Sequence, residues 1–150
     1  MSDDQPMKGS CQCGGVTYEI TGKPLAMFVC HCTQCQKLSA SAYSTTMFVK
    51  LSDLHVTGEM KTWERMSDSG RRNVAYFCPD CGNRIYHLDP EAPAFARFKA
   101  GTLDNAKMPV PDAHLWVNSK QPWDEIPQGI PSYPGNFPPE EAKKLFSRNS

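Results

Sequence analysis

Seven cysteines carry the chemistry open to this sequence, and all seven fall in clusters with the spacing of metal ligands. Cys30, Cys32 and Cys35 lie within six residues, so one turn can bring three thiolates to a single point. A tetrahedral Zn²⁺ held by three thiolates keeps one position open, and an open position is where a metal does chemistry. Two further pairs, Cys11 with Cys13 and Cys78 with Cys81, stand far apart in sequence and suit a closed Cys₄ site. The expectation is two zinc ions per chain, a structural one on Cys11, Cys13, Cys78 and Cys81 and a catalytic one on Cys30, Cys32 and Cys35.

The rest of the composition favours metal over other uses of cysteine. An odd count leaves one thiol outside any disulfide framework, and the polar start Met1-Ser2-Asp3-Asp4-Gln5-Pro6 does not read as an export signal. No apolar run is long enough to cross a membrane, and the protein is expected to be cytoplasmic. At 150 residues and 39% hydrophobic content the core is modest, so cross-linking by metal would help it. Sixteen basic and sixteen acidic residues cancel, which argues against a nucleic-acid or membrane-surface partner.

Other polar residues are weighed against structural roles. His31 sits inside the central cluster and could be a fourth ligand or a proton carrier, but neighbours in a turn rarely all reach one metal. His114 reads as a structural histidine on a strand, with general base as its functional alternative, since an unperturbed imidazole titrates near pH 6.5. Trp63, Trp116 and Trp123 read as core, with the lining of a pocket as the alternative for Trp123 in its proline-rich surroundings. Arg84 and Lys37 could hold a substrate carboxylate, with a solvated surface role favoured for each. Two Cys-x-x-Cys spacings raise thiol–disulfide chemistry, which would need a following helix and a βαβ pattern.

The elements that must present these residues are mostly strands. Val16–Ile20 alternates apolar and polar, Leu25–Val29 is a short apolar run delivering Cys30, and Ala42–Val49 is rich in β-formers. Strands are expected again at Leu54–Gly58, Met60–Met66, Asn73–Phe77, Arg84–Leu88, Ala94–Ala100 and Ala113–Val117, with a helical turn or loop over Gln36–Ser41. In Cys78-Pro79-Asp80-Cys81-Gly82 the proline sets a turn and the glycine admits positive φ, making a zinc knuckle. Eight of the 13 prolines fall between Pro109 and Pro139, so extended chain is expected there, with a short terminal helix from Pro138-Pro139-Glu140-Glu141.

With these motifs placed, the chain resembles the glutathione-dependent formaldehyde-activating enzyme family, which also includes the domain of centromere protein V. The resemblance rests on Gly9-Ser10-Cys11-Gln12-Cys13-Gly14, Cys30-His31-Cys32-Thr33-Gln34-Cys35, Phe77-Cys78-Pro79-Asp80-Cys81-Gly82, Gly101-Thr102-Leu103-Asp104, His114-Leu115-Trp116 and Pro122-Trp123, in that order. It implies a mostly β protein whose small antiparallel sheets form a zinc-stabilised β-tent. The family-like domain spans residues 9–134, after a loosely held start at 1–8 and before a tail at 135–150. It assigns Cys11, Cys13, Cys78 and Cys81 to the structural zinc and Cys30, Cys32 and Cys35 to the catalytic one. Where relatives often carry arginine and glycine after the third central cysteine, this chain has Gln36, Lys37 and Ala40. The implied activity is that of a carbon–sulfur lyase joining or parting a small thiol, such as glutathione, and an aldehyde, such as formaldehyde. The alternative is a non-catalytic, zinc-stabilised binding module for a protein partner, and a homodimer is left open.

Overall fold

Apolar–polar alternation along the chain produces short strands, and turn chemistry decides where each one stops. The computed structural model describes residues 5–149. Among them are ten strands: β1 (Met7–Ser10), β2 (Thr17–Ile20), β3 (Ala26–Cys30), β4 (Ser44–Lys50), β5 (Leu54–Thr57), β6 (Lys61–Met66), β7 (Arg72–Phe77), β8 (Arg84–Leu88), β9 (Phe95–Lys99) and β10 (Ala113–Leu115). Two α-helices accompany them, α1 (Thr33–Ser39) and α2 (Pro139–Asn149). The protein is thus mostly β, as expected. The chain forms two compact units, one from residues up to Pro24 with Phe48–Met108, the other from Leu25–Met47 with the residues from Pro109 on. Neither unit is contiguous in sequence, so no shift in composition marks the passages between them.

In the first unit β1, β2 and β5 make an antiparallel sheet in that order, with Met7 opposite Ile20 and Thr17 opposite Thr57. The first strand therefore begins at Met7, two residues inside the start expected to be loosely held, because its backbone is paired from there on. Residues 1–4 of that start lie outside the described residues. Tyr18 and Ile20 of β2 turn inward, and Tyr18 meets Phe98 edge-on with ring centroids 4.4 Å apart. The Tyr18 hydroxyl passes over Gly9 to the Thr102 hydroxyl at 2.8 Å, and a Cβ at Gly9 would lie 2.0 Å from that oxygen. Asp104 completes the clasp: its backbone N–H donates to the Lys8 carbonyl at 2.9 Å and its carboxylate accepts from the Ser10 hydroxyl. Gly101-Thr102-Leu103-Asp104 thereby anchors β1, which leads straight into Cys11.

The same unit holds the antiparallel meander β6-β7-β8-β9. Its register shifts at Tyr76/Phe77, where Tyr76 faces Tyr86 but Phe77 faces Arg84. That bulge re-aims Arg84, whose guanidinium carbon sits 5.5 Å from the Trp63 ring centre. Trp63 was expected in the core but is 51% exposed, because β6 is the last strand of its sheet and its side chains face solvent. Trp123, in a loop after Pro122, is 72% exposed, a second correction. Trp116 is half-buried, and its indole N–H donates to Asn136.

In the second unit the apolar run expected before Cys30 is β3, buried along most of its length and paired in parallel with β10. Strand β10 ends at Leu115, shorter than the alternation suggested, because Trp116 takes a left-handed conformation at φ 58°. The proline-rich chain runs beside it in extended form. The His114 N–H donates to the Pro131 carbonyl, and the Tyr133 N–H to the His114 carbonyl, each at 2.9 Å. Phe137 packs on Phe28 at 4.8 Å, and α2 starts with Pro139, Glu140 and Glu141 in its first turn, where a missing N–H and negative charge are both tolerated.

Helix α1 ends at Ala40, which caps it in the left-handed region at φ 49°. A side chain there is strained, whereas glycine is not. Ala40→Gly should raise unfolding stability by about 1 kcal/mol, read from the urea midpoint of metal-loaded protein. An unchanged or lower midpoint would remove the strain argument.

Candidate metal centres

Cys11 and Cys13 lie on the turn joining β1 to β2, and Cys78 and Cys81 follow the end of β7. All four Sγ atoms lie within 4.8 Å of one another, with Cys13 3.6 Å from both Cys11 and Cys78. Four sulfurs around a tetrahedral zinc, with bonds near 2.3 Å, would stand about 3.8 Å apart, so this spacing fits. Backbone donors face the sulfurs. The Val16 N–H lies 3.2 Å from the Cys11 sulfur and the Gly15 N–H 3.4 Å from that of Cys13. The knuckle closes as the sequence suggested, with Gly82 at φ 75° and its N–H donating to the Cys78 carbonyl at 2.9 Å.

The protons on this cluster respond to those contacts. Donation from the Asn83 N–H is the main influence lowering the Cys81 thiol, to about 6. At Cys13 the Gly15 N–H pulls downward, yet the neighbouring thiols of Cys11, Cys78 and Cys81 together push it up to about 12. Without a cation the four thiols share protons, and metal binding must displace them.

The second cluster is built at a strand-to-helix junction. Cys30 ends β3, Cys32 is the N-cap of α1, and Cys35 lies in its first turn. The Cys32 sulfur accepts from the Cys35 N–H at 3.3 Å, so ligand and helix cap are one side chain. The three sulfurs again lie within 4.8 Å of one another, and no fourth His, Cys, Asp or Glu joins them among the described residues. Contact with Cys32, then with Cys35, and burial hold the Cys30 thiol well above its ordinary range. A helix does begin within the Cys32-x-x-Cys35 spacing, but Cys30 shares the same point, and three converging thiols could hold a metal ion.

His31 is not part of this thiol set. It is fully buried, with Nε2 2.9 Å from His114 Nδ1 and Nδ1 3.6 Å from Asp124 Oδ2. Burial lowers the pKa of both histidines. His114 further depresses that of His31, while Asp124 opposes the shift at both. Gln36 clamps this region: its amide N–H₂ donates to the carbonyls of His31 at 2.8 Å and Ser119 at 2.9 Å. Its side-chain oxygen accepts from Gln121 at 2.7 Å. Lys37 is exposed, and Arg84 is held over Trp63. Asp124 and Gln36 were not singled out from the sequence; Asp124 lies 93 positions from His31, and no local spacing could have linked them.

A protein-family model described as glutathione-dependent formaldehyde-activating enzyme matches residues 6–119, a span that includes all seven cysteines and both His31 and His114. The crystal structure of a Rhodobacter sphaeroides protein is similar in fold, with a TM-score of 0.53 and 22% identity over 67% of this chain and 91% of that one. No curated protein matches.

The two sulfur sets should separate on mutation. Cys81→Ser should remove about one metal ion per chain and lower the thermal midpoint, because those ligands tie the β1–β2 turn to the end of β7. Cys32→Ser should also remove about one ion while leaving the other and the far-ultraviolet circular dichroism intact. Metal analysis alongside that spectrum checks both, and unchanged metal content in either variant counts against its assignment.

Proposed function

The chain belongs to the glutathione-dependent formaldehyde-activating enzyme family, and on that premise we propose that it is a zinc-dependent enzyme of the carbon–sulfur lyase type. Its reaction makes or breaks the adduct of a small thiol and an aldehyde, with glutathione and formaldehyde as the first candidates. The observation that carries this reading is the convergence of three thiols, Cys30, Cys32 and Cys35, with no fourth His, Cys, Asp or Glu among the described residues. These three would hold the catalytic ion, and Cys11, Cys13, Cys78 and Cys81 the structural one. A zinc ion with an open position supplies positive charge that makes a thiol acidic enough to ionise near neutral pH.

The remaining work falls to this chain's own residues. In the forward direction the thiol loses its proton, its sulfur bonds to the carbonyl carbon, and the carbonyl oxygen gains a proton; the reverse step breaks that carbon–sulfur bond. A base is needed for the first event and an acid for the last. His114 is the candidate, because it keeps 7% of its surface exposed and burial keeps its imidazole neutral. Gln36 holds the loop around Ser119 against α1, so the surroundings of the thiols are fixed before any substrate arrives.

The test is metal content followed by a glutathione titration of cobalt-substituted protein. Two metals per chain, with a change in the cobalt spectrum at one of them, support an open site that takes a thiolate. Two metals with no response to any small thiol overturn the enzyme reading in favour of a binding module.

A further inference from the structure

Beside the three thiols lies a row of polar side chains, Asp124, His31 and His114, of which the proposed reaction uses only the last. The row is dry. His31 is 0% exposed and the Asp124 side chain 17%, and neither His31 Nδ1 nor Asp124 Oδ2 has a hydrogen-bond partner. At 3.6 Å their contact is longer than a hydrogen bond, yet no other group competes for either atom.

The direction of the row follows from what each atom can do. An ionised carboxylate only accepts, so the His31 nitrogen facing it is favoured as N–H over a lone pair. A neutral imidazole has a single N–H, so His31 Nε2 is then the acceptor. The hydrogen in its 2.9 Å contact with His114 Nδ1 must therefore come from His114. With its one hydrogen committed there, His114 presents a lone pair at Nε2.

We propose that Asp124 and His31 are positioning residues that fix His114 in the tautomer with hydrogen on Nδ1 and a free lone pair on Nε2. What that lone pair is used for, accepting the thiol proton, rests on the function proposed above; the tautomer does not. His31 is fully buried and His114 nearly so, and an enclosed imidazole is favoured without a charge. The reversed row would turn a His31 lone pair toward a carboxylate oxygen and leave His114 a donor at Nε2, unable to take a proton.

The tautomers can be read directly by nitrogen-15 NMR of histidine-labelled, zinc-loaded protein at about pH 8, where unperturbed imidazoles are already neutral. Signals are assigned by their loss in His114→Gln. The expected result is protonated Nδ1 and unprotonated Nε2 in both His31 and His114. A His114 protonated at Nε2 in the native protein overturns the proposal without recourse to any variant. In Asp124→Asn the carboxamide can donate to His31 Nδ1, so both rings should reverse while zinc content stays at the native value. The rate of adduct formation from glutathione and formaldehyde should then fall about 100-fold or more in kcat, with KM little changed. Asp124→Glu should restore the native tautomers. Rings that do not reverse in Asp124→Asn, or that reverse with kcat unaltered, overturn the positioning role. Native protein with the expected tautomers but no turnover of any thiol and aldehyde overturns the proposed reaction and leaves the relay standing.

Discussion

Sulfur atoms held this close cannot all be anionic unless a cation sits among them. Four in one unit and three in the other each lie within 4.8 Å of one another, with some pairs at 3.6 Å. In the absence of metal that crowding raises the proton affinity of Cys13 and Cys30, while backbone donation led by the Asn83 N–H lowers that of Cys81. Most other features near the clusters serve to hold sulfurs at that spacing. Gly9 lets the Tyr18 hydroxyl cross β1, Asp104 ties the same strand from beneath, and Gly82 closes the knuckle.

The two clusters meet the constraint in different ways. At the four-cysteine site the sulfurs are spread over two loops, and backbone N–H groups supply partial positive charge, which suits a closed structural centre. At the three-cysteine site the sulfurs come from six consecutive positions, and the junction of β3 with α1 does the positioning. Cys32 both caps the helix and belongs to the thiol cluster, so the helix start and the cluster geometry depend on one another. Beyond the thiols this second site is furnished with side chains rather than backbone: two histidines, a carboxylate and a glutamine. Such groups can move or orient protons, which a purely structural centre does not need.

The family relationship and the local geometry bear on different questions. The match over residues 6–119 speaks to the kind of chemistry, while Asp124 lies beyond that span. Parallel pairing sets Leu115 opposite Cys30, and His114 opposite Val29, so the strand that carries His114 runs alongside the one that delivers the thiols.

The close spacing within each run of cysteines, most strands and the knuckle turn were legible in the sequence, because each depends on neighbours. Alternation of period two reads as a strand within five or six residues, and Cys-x-x-Cys and its proline and glycine need only a turn. β1 was missed because its four residues show no alternation; pairing with β2 and the clasp from Thr102 and Asp104 make it a strand. Trp63 and Trp123 were misplaced because hydrophobicity does not reveal which strand ends a sheet or which loop stays outside. Only the tertiary structure decided that His31 would turn to His114 and Asp124 rather than join the three thiols. Local sequence determined where the thiols converge, since chain connectivity brings near neighbours together. The long-range contacts that set a proton's position were decided by folding, because no residue records in its own neighbourhood what will be packed against it.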